Sequence, residues 1–311
     1  MSGQVDDEDI AAFLLAQARR GPALSEIVGA VRAMRGNMLT IRAPADAIDL
    51  CGTGGEGQST LNISTAVAFV VAACGVPVAK HGNRSISSRS GAADVLEALG
   101  AAVSLTPEAA TECLGETGLC FLFAPTYHPA MKHVAAVRKR LGVRTIFNLL
   151  GPLCNPASVR RQLVGVYAKD LVELFAQALR ELKVERAWIV HGSDGLDEIT
   201  ATGKTHVAML ENSLIAIREV TPQEIGLRQA STIELKGDDA AHNAKRLIEL
   251  FEGGRGAYRD IVVLNAAAAL TVAGKATNLS TGASLADAAI ASGKALGVLH
   301  TFVKVSAKLA S

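Results

Sequence analysis

The chain has 311 residues, 49% of them hydrophobic and 20% charged, a composition that supports a large core and excludes a disordered tail, a small disulfide scaffold or a coiled coil. Its 31 Lys and Arg nearly balance 30 Asp and Glu, and a formal charge of +1 leaves no footprint for a dedicated nucleic-acid or membrane-surface binder. Any basic site must be local. Apolar positions at helical spacing over residues 10–35 (Ile10, Phe13 and Leu14, then Ile27, Val28, Val31 and Met34), split at Gly21-Pro22, predict two helices. A strand at 47–51 then runs into glycine-rich sequence and is followed by a helix at 63–74 and a strand at 76–79, a β-loop-α-β unit. Next come a helix at 92–99, a strand at 120–124, a helix at 129–141, a strand at 163–167, a helix at 171–182, and strands at 187–191 and 207–210. Three Ala-rich helices, at 239–252, 257–273 and 285–307, close the pattern. Such alternation predicts an α/β fold with a mainly parallel sheet covered on both faces.

The best apolar run, 66–79, is too short to span a bilayer and is broken by Gly75 and Pro77. The opening MSGQVDDEDI is acidic, without the basic and then apolar order of an export signal, so a cytoplasmic protein is expected. Cys51, Cys74, Cys113, Cys120 and Cys154 are odd in number and lack zinc spacing, which predicts buried thiols.

In a parallel sheet ligands sit beyond the carboxyl ends of the strands, so the loops after Cys51, Ala79 and His191 are the expected site. The first contains Gly52, Gly54 and Gly57 at G-x-G-x-x-G spacing. A dinucleotide fold would place an acidic residue about 20 positions on, whereas the next strand ends in Lys80, His81 and Arg84. A P-loop is excluded because no Gly-Lys-Ser/Thr follows. Two readings stay open: a tight turn with a helix cap, or a bare backbone that approaches an anion ahead of Asn62, Ser64 and Thr65. The second loop, KHGNRSISSRSG from Lys80, concentrates three cations, a His and four serines, donors suited to a multiply charged phosphorylated ligand; the alternative is a solvated basic loop. After the third strand, Asp197 and Glu198 are either helix-entry charge or oxygen ligands for Mg²⁺. Arg138 falls one turn from Val134, beside the apolar side of its helix, and is the cation of that helix expected to point inward as a carboxylate receptor.

Taken in order, GTGGEG-x4-NIST, KHGNRSISSRSG, YHPAMKHVAAVRKRLGVRTIFNLLGPLCNP and DGLDEIT closely resemble the anthranilate phosphoribosyltransferases, from about residue 10 to the C-terminus. That resemblance implies transfer of phosphoribosyl from 5-phosphoribosyl-1-pyrophosphate to the amine of anthranilate with Mg²⁺, in tryptophan biosynthesis. It implies a small all-helical domain (1–46 and about 129–155) hinged to a large α/β domain (47–128 and 156–311) of the nucleoside-phosphorylase and phosphoribosyltransferase kind, usually as a homodimer. By the family pattern Gly52, Gly55, Glu56, Thr60, Asn62, Ile63, Ser64, Thr65 and then Lys80, His81, Gly82, Asn83, Arg84, Ser85, Ile86, Ser87 and Ser88 match the phosphoribosyl-pyrophosphate site. Ser64, Asp197 and Glu198 match the Mg²⁺ ligands, and Gly52, Asn83 and Arg138 the anthranilate contacts, with His81 and Pro152 nearby. Lys80, Asp197 and Glu198 are expected to act electrostatically, without a general base. Two departures stand out: Glu56 occupies a position where the family usually has Asp, and the glycine loop begins after only 51 residues, which implies a shortened helical domain and leaves two readings of the dimer open, an altered subunit contact or a truncated start. Two rivals remain at this point. One is a pyrimidine nucleoside phosphorylase, which shares the fold and would phosphorolyse thymidine or uridine; the other is a non-catalytic relative with a nucleic-acid groove, against which the +1 charge speaks.

Overall fold

A computed structural model describes residues 3–85 and 89–310. Seven strands form one sheet in the order β3-β2-β1-β4-β5-β6-β7: β1 (Ile48–Gly52), β2 (Val78–Gly82), β3 (Leu119–Phe123), β4 (Arg161–Gly165), β5 (Arg186–Gly192), β6 (Thr205–Glu211) and β7 (Leu214–Val220). The first five are parallel and the last two antiparallel. Helices α1 (Asp7–Arg20) and α2 (Leu24–Arg35) precede the sheet. Between strands lie α3 (Ile63–Ala73), α4 (Ala92–Ala98), α5 (Pro107–Thr117), α6 (Ala124–Tyr127), α7 (Lys132–Leu141), α8 (Phe147–Leu150) and α9 (Leu171–Glu181). The chain ends in α10 (Ala240–Phe251), α11 (Ala257–Val272), α12 (Leu279–Ala291) and α13 (Lys294–Leu309).

Besides the short helices α6 and α8, which the sequence reading did not expect, four differences from the expected elements have a local cause. Helix α5 goes unread in the sequence because its apolar residues are few, although Thr106 caps it by accepting from the Ala109 N–H and Pro107 opens it. Strand β7 is an edge strand whose Leu214 and Ile217 face out, so no buried alternation marks it. The helix expected at 285–307 is two helices, because Gly293 adopts a left-handed conformation (φ 74°) between α12 and α13. Finally, β2 and β5 run on through Gly82 and Gly192, so Lys80 and His81 lie in a strand, not in the loop where they were expected.

Two cores flank the sheet, and strand alternation feeds both. Leu163, Val190 and Val207 join one cluster with α3, α10, α11, α12 and α13, while Val164, Ile189 and Ala208 join the other with α1, α2, α8 and α9. Helices α3 and α11 are buried on nearly every side, as expected of helices that are apolar all round. The second cluster carries Ala11, Leu14, Ile27 and Val31 of the first two helices together with Val137, Leu149 and Leu150, so the N-terminal helices and the 132–153 region rest on the same sheet face. Arg35 adds a polar tie, donating from Nε and Nη2 to the Leu153 carbonyl at 2.9 and 2.7 Å. Among the described residues no helix is long and apolar enough to cross a membrane.

Phe69 of α3 is fully buried, edge-on to Phe251 at 6.1 Å and to Phe302 at 5.7 Å. Phe69→Ala is expected to cost about 3–5 kcal/mol of unfolding free energy, measured by urea denaturation; a loss of less than about 1 kcal/mol would show that the core closes over the gap.

Candidate active site

The order of strands reverses at β1, whose neighbours β2 and β4 lie on opposite sides, so the crevice between the carboxyl ends of β1 and β4 is the natural ligand site. Its floor is unusual. Strands β1 and β2 are in ladder register at Ile48 and Val78, and beyond that pair side chains take over. Asp49, fully buried, accepts the N–H of His81 at 3.0 Å and of Leu50 at 2.8 Å through Oδ1, and the Cys51 thiol at 3.3 Å through Oδ2. Burial raises its carboxyl pKa, opposed by the Asn155 side chain, the charge of Lys80 and the hydrogen bonds from His81 and Cys51. Lys80, also buried, donates through Nζ to the Leu50 carbonyl and, at 3.1 Å, to Ser64 Oγ. Successive residues of a strand face opposite ways, so His81 turns to the other side. There its Nδ1 donates to the Gly151 carbonyl at 2.9 Å, and Nε2 stands 3.2 Å from Nε2 of His128. Burial pulls His81 down to about 3 and His128 down to about 4, so the pair is neutral near pH 7.

The glycine loop and the carboxylate turn meet above this floor. A Cβ on Gly52 would lie 2.2 Å from Asp197 Oδ2, and one on Gly165 would lie 1.6 Å from the Asp197 carbonyl oxygen; glycine at both strand ends lets that turn seat between β1 and β4. Asp197 accepts the Gly54 N–H at 2.8 Å, and Glu198 accepts the Ser64 N–H at 3.1 Å. Both carboxyl pKa values are raised by burial, that of Glu198 to about 8 with further repulsion from Asp197. Glu56 is raised for the same two reasons, burial and then Asp197. Three carboxyls therefore crowd one crevice. Ile63 and Thr65 are buried in their side chains, so what they offer a ligand is the N–H end of α3. Asn62 is held from three sides: its Oδ1 accepts from Asn243 at 2.8 Å, its carbonyl from the Tyr258 hydroxyl at 3.2 Å, and its Nδ2 donates to the Ser90 carbonyl at 3.4 Å. Thr60 bridges to Lys236, which straps the 232–238 segment behind the loop.

The basic loop is less cationic toward the crevice than its sequence suggests. Arg84 is exposed and paired with Glu97 at 2.5 Å and Asp94 at 3.0 Å, and Arg89 pairs with Asp238. Asn83 is exposed and its Oδ1 accepts the Arg84 N–H at 2.8 Å, while Ser85 donates its N–H to Asp94 at 3.2 Å. A Cβ on Gly82 would press to 2.6 Å from the Phe121 ring. Ile86, Ser87 and Ser88 lie outside the described residues. Arg138 is half-buried over the Phe147 ring at 5.4 Å, has no ion pair among the described residues, and has its pKa lowered by burial. Pro152 is buried, and its carbonyl accepts from Gln162 at 2.8 Å. Sequence reading missed Asp49, Arg144, Tyr167, Asn243 and Tyr258. Asp49 alone carried a signal, a carboxylate inside an apolar strand; the others are brought in by tertiary folding.

The profile described as "Glycosyl transferase family, a/b domain" matches residues 44–296, and "Glycosyl transferase family, helical bundle domain" matches residues 1–38. An anthranilate phosphoribosyltransferase from Chelativorans sp. (strain BNC1) is 53% identical over 98% of this chain and 90% of its own length, and one from Methylocella silvestris is 54% identical over 98% and 87%. The chain belongs to the anthranilate phosphoribosyltransferase family. Among solved structures, the anthranilate phosphoribosyltransferase of Thermus thermophilus superposes with a TM-score of 0.94 at 41% identity, covering 100% of this chain and 92% of that one. That of Saccharomyces cerevisiae, solved in complex with PRPP and Mg, superposes with a TM-score of 0.89 at 29% identity, covering 97% and 86%. As in other anthranilate phosphoribosyltransferases, a helical N-terminal region joins an α/β region with a mostly parallel sheet.

The donor set suits Mg²⁺. Crowded carboxyls with raised pKa values gain from a cation, and their hard oxygens match one. Among the described residues no group of three His, Cys, Asp or Glu forms a metal cage.

Because the folded-state pKa of Glu198 lies above its unfolded value, metal-free stability contributed by this group is present below about pH 4.5 and is lost as pH rises to about 8. Glu198→Gln is therefore expected to raise the melting temperature of EDTA-treated protein at pH 8 while leaving it nearly unchanged at pH 5. Equal melting temperatures at pH 8 would count against the crowding.

Proposed function

We propose that this crevice transfers the phosphoribosyl group of 5-phosphoribosyl-1-pyrophosphate to the amine of anthranilate, giving N-(5-phosphoribosyl)anthranilate and pyrophosphate, in tryptophan biosynthesis. The observation that carries the reading is the meeting of Lys80, Ser64, Asp197 and Glu198 beneath a glycine loop at the β1/β4 crevice. Ser64, Asp197 and Glu198 would hold Mg²⁺, which when bound would neutralise charge on the departing pyrophosphate. Lys80 keeps a fixed positive charge at the floor, and the N–H groups of the glycine loop and of the first turn of α3 receive phosphate oxygens. Gly52, Gly55, Glu56, Thr60 and Asn62 shape that cradle. Asn83, Gly52 and Arg138, which has no ion pair among the described residues, orient anthranilate, with Arg138 taking its carboxylate.

The reaction needs little acid-base help. Anthranilate's amine is neutral near pH 7, so its lone pair forms the new C–N bond as the C–O bond to pyrophosphate breaks, and the proton leaves to solvent afterwards. The neutral His81 and His128 pair fixes the segment bearing Gly151 and supplies no base. Catalysis is then positional and electrostatic. The helical segments, 1–46 and about 129–155, closing over the α/β remainder would exclude water from the ribose carbon. The same reading places the enzyme in the cytoplasm as a homodimer. Phe13 of α1, 59% exposed on the helical region, is the side chain on which that pairing is tested.

Anthranilate fluorescence tests the reaction: loss of signal with 5-phosphoribosyl-1-pyrophosphate and Mg²⁺ is expected, abolished by EDTA. Arg138→Ala should raise the KM for anthranilate at least about tenfold, the scale of a lost charge-assisted contact. No consumption by the wild type would sink the assignment, and phosphorolysis of thymidine would replace it. Light scattering checks the dimer, with Phe13→Asp expected to shift the chain toward monomer.

A further inference from the structure

Gly54, Gly55 and Gly57 all have positive φ (62°, 78° and 75°), a conformation that costs glycine little and gives the loop no stiffness of its own. Contacts from elsewhere must hold it. Thr53 is tied to β4, donating its N–H to the Gly165 carbonyl at 3.0 Å and accepting the Tyr167 N–H on Oγ1 at 3.0 Å. Asp197 holds the Gly54 N–H, and Gln58 reaches the Asp194 carbonyl at 3.0 Å. Arg144 does the same for Gly55 from the opposite wall. It lies between α7 and α8, donates through Nη2 to the Gly55 carbonyl, and stacks over the Tyr167 ring at 4.2 Å. Among the described residues it has no ion pair within 4 Å; its cation serves a carbonyl and a ring and, at longer range, draws on the neighbouring Glu56 carboxyl.

The consequence follows from peptide planarity. The Gly55 carbonyl and the Glu56 N–H belong to one rigid plane and point in opposite directions. Gripping the carbonyl therefore fixes where the Glu56 N–H and the Glu56 Cα point. We propose that Arg144, stacked on Tyr167, is a positioning residue that clamps the Gly55–Glu56 peptide and so sets the glycine loop to receive the diphosphate of 5-phosphoribosyl-1-pyrophosphate. This rests on the function proposed above and adds a residue to it. Because Arg144 stands between two helices of the 132–150 region, the clamp couples loop order to the seating of that region on the crevice. Lys cannot replace it fully, lacking the planar face that stacks on Tyr167.

Calorimetric titration of 5-phosphoribosyl-1-pyrophosphate with Mg²⁺ into wild type, Arg144→Ala, Arg144→Lys, Tyr167→Leu and the Arg144→Ala/Tyr167→Leu double variant tests this, alongside KM for both substrates and melting temperature. Arg144→Ala is expected to weaken binding and raise the KM for 5-phosphoribosyl-1-pyrophosphate about tenfold, the scale of one stacked, hydrogen-bonded cation. The KM for anthranilate should stay within about twofold and the melting temperature near that of the wild type. Tyr167→Leu should move the same constants, the double variant should be no worse than Arg144→Ala, and Arg144→Lys should fall between. Wild-type binding by Arg144→Ala, an equal loss for both substrates, or additive losses in the double variant would overturn the clamp and leave the reaction standing. A wild type that neither binds 5-phosphoribosyl-1-pyrophosphate nor consumes anthranilate would overturn both.

Discussion

The exchange of backbone ladder for buried charge between β1 and β2 is the constraint on which the site depends. Past Ile48 and Val78, a carboxylate from β1 takes an N–H of β2, and an ammonium from β2 takes a carbonyl of β1. Neither charge tolerates burial alone, since an unpaired buried ion costs several kcal/mol. Together, and with their neighbouring N–H, thiol and hydroxyl partners, each is satisfied in place. The result is a cation fixed at the bottom of the crevice without a flexible side chain in solvent, already aimed at Ser64 of α3.

Everything above that floor is arranged by what glycine omits. Gly52 and Gly165 end adjacent strands, and the absent Cβ atoms leave the space into which the Asp197 turn descends. This brings Asp197, Glu198 and Glu56 close enough to repel, a cost that a divalent cation would relieve. A cation entering there would take the place of the proton that burial and crowding hold on Glu198. The 232–238 strap, Asn243 and Tyr258 add the back wall by fixing Thr60 and Asn62.

Charge in the sequence and charge available to a ligand turn out to be different quantities. The loop from Lys80 reads as three cations, yet Arg84 and Arg89 are matched by Asp94, Glu97 and Asp238, leaving Lys80 as the buried charge of the three. Conversely Arg138, one of four cations on its helix, stands half-buried with no carboxylate partner among the described residues. A run of basic residues reports composition; which of them faces a substrate depends on where the acidic partners land.

The sequence by itself determined the alternation of strands and helices, the loops at which polar residues gather, and the family, because each of these is written in local periodicity and contiguous motifs. It also placed Arg138 beside the apolar face, since helical spacing alone fixes that. It left unread what has no local signature: an edge strand with exposed apolar residues (β7), a helix with a weak apolar stripe (α5), and the true ends of β2 and β5, which pairing with parallel β3 and with antiparallel β6 extends. Only the tertiary structure decided that β1 and β4 flank the switch point, that Asp49 answers Lys80, and that Arg144 reaches across 89 residues to Gly55. Those are contacts between distant segments, and their energies come from burial and charge pairing that exist only once the sheet has brought the segments together.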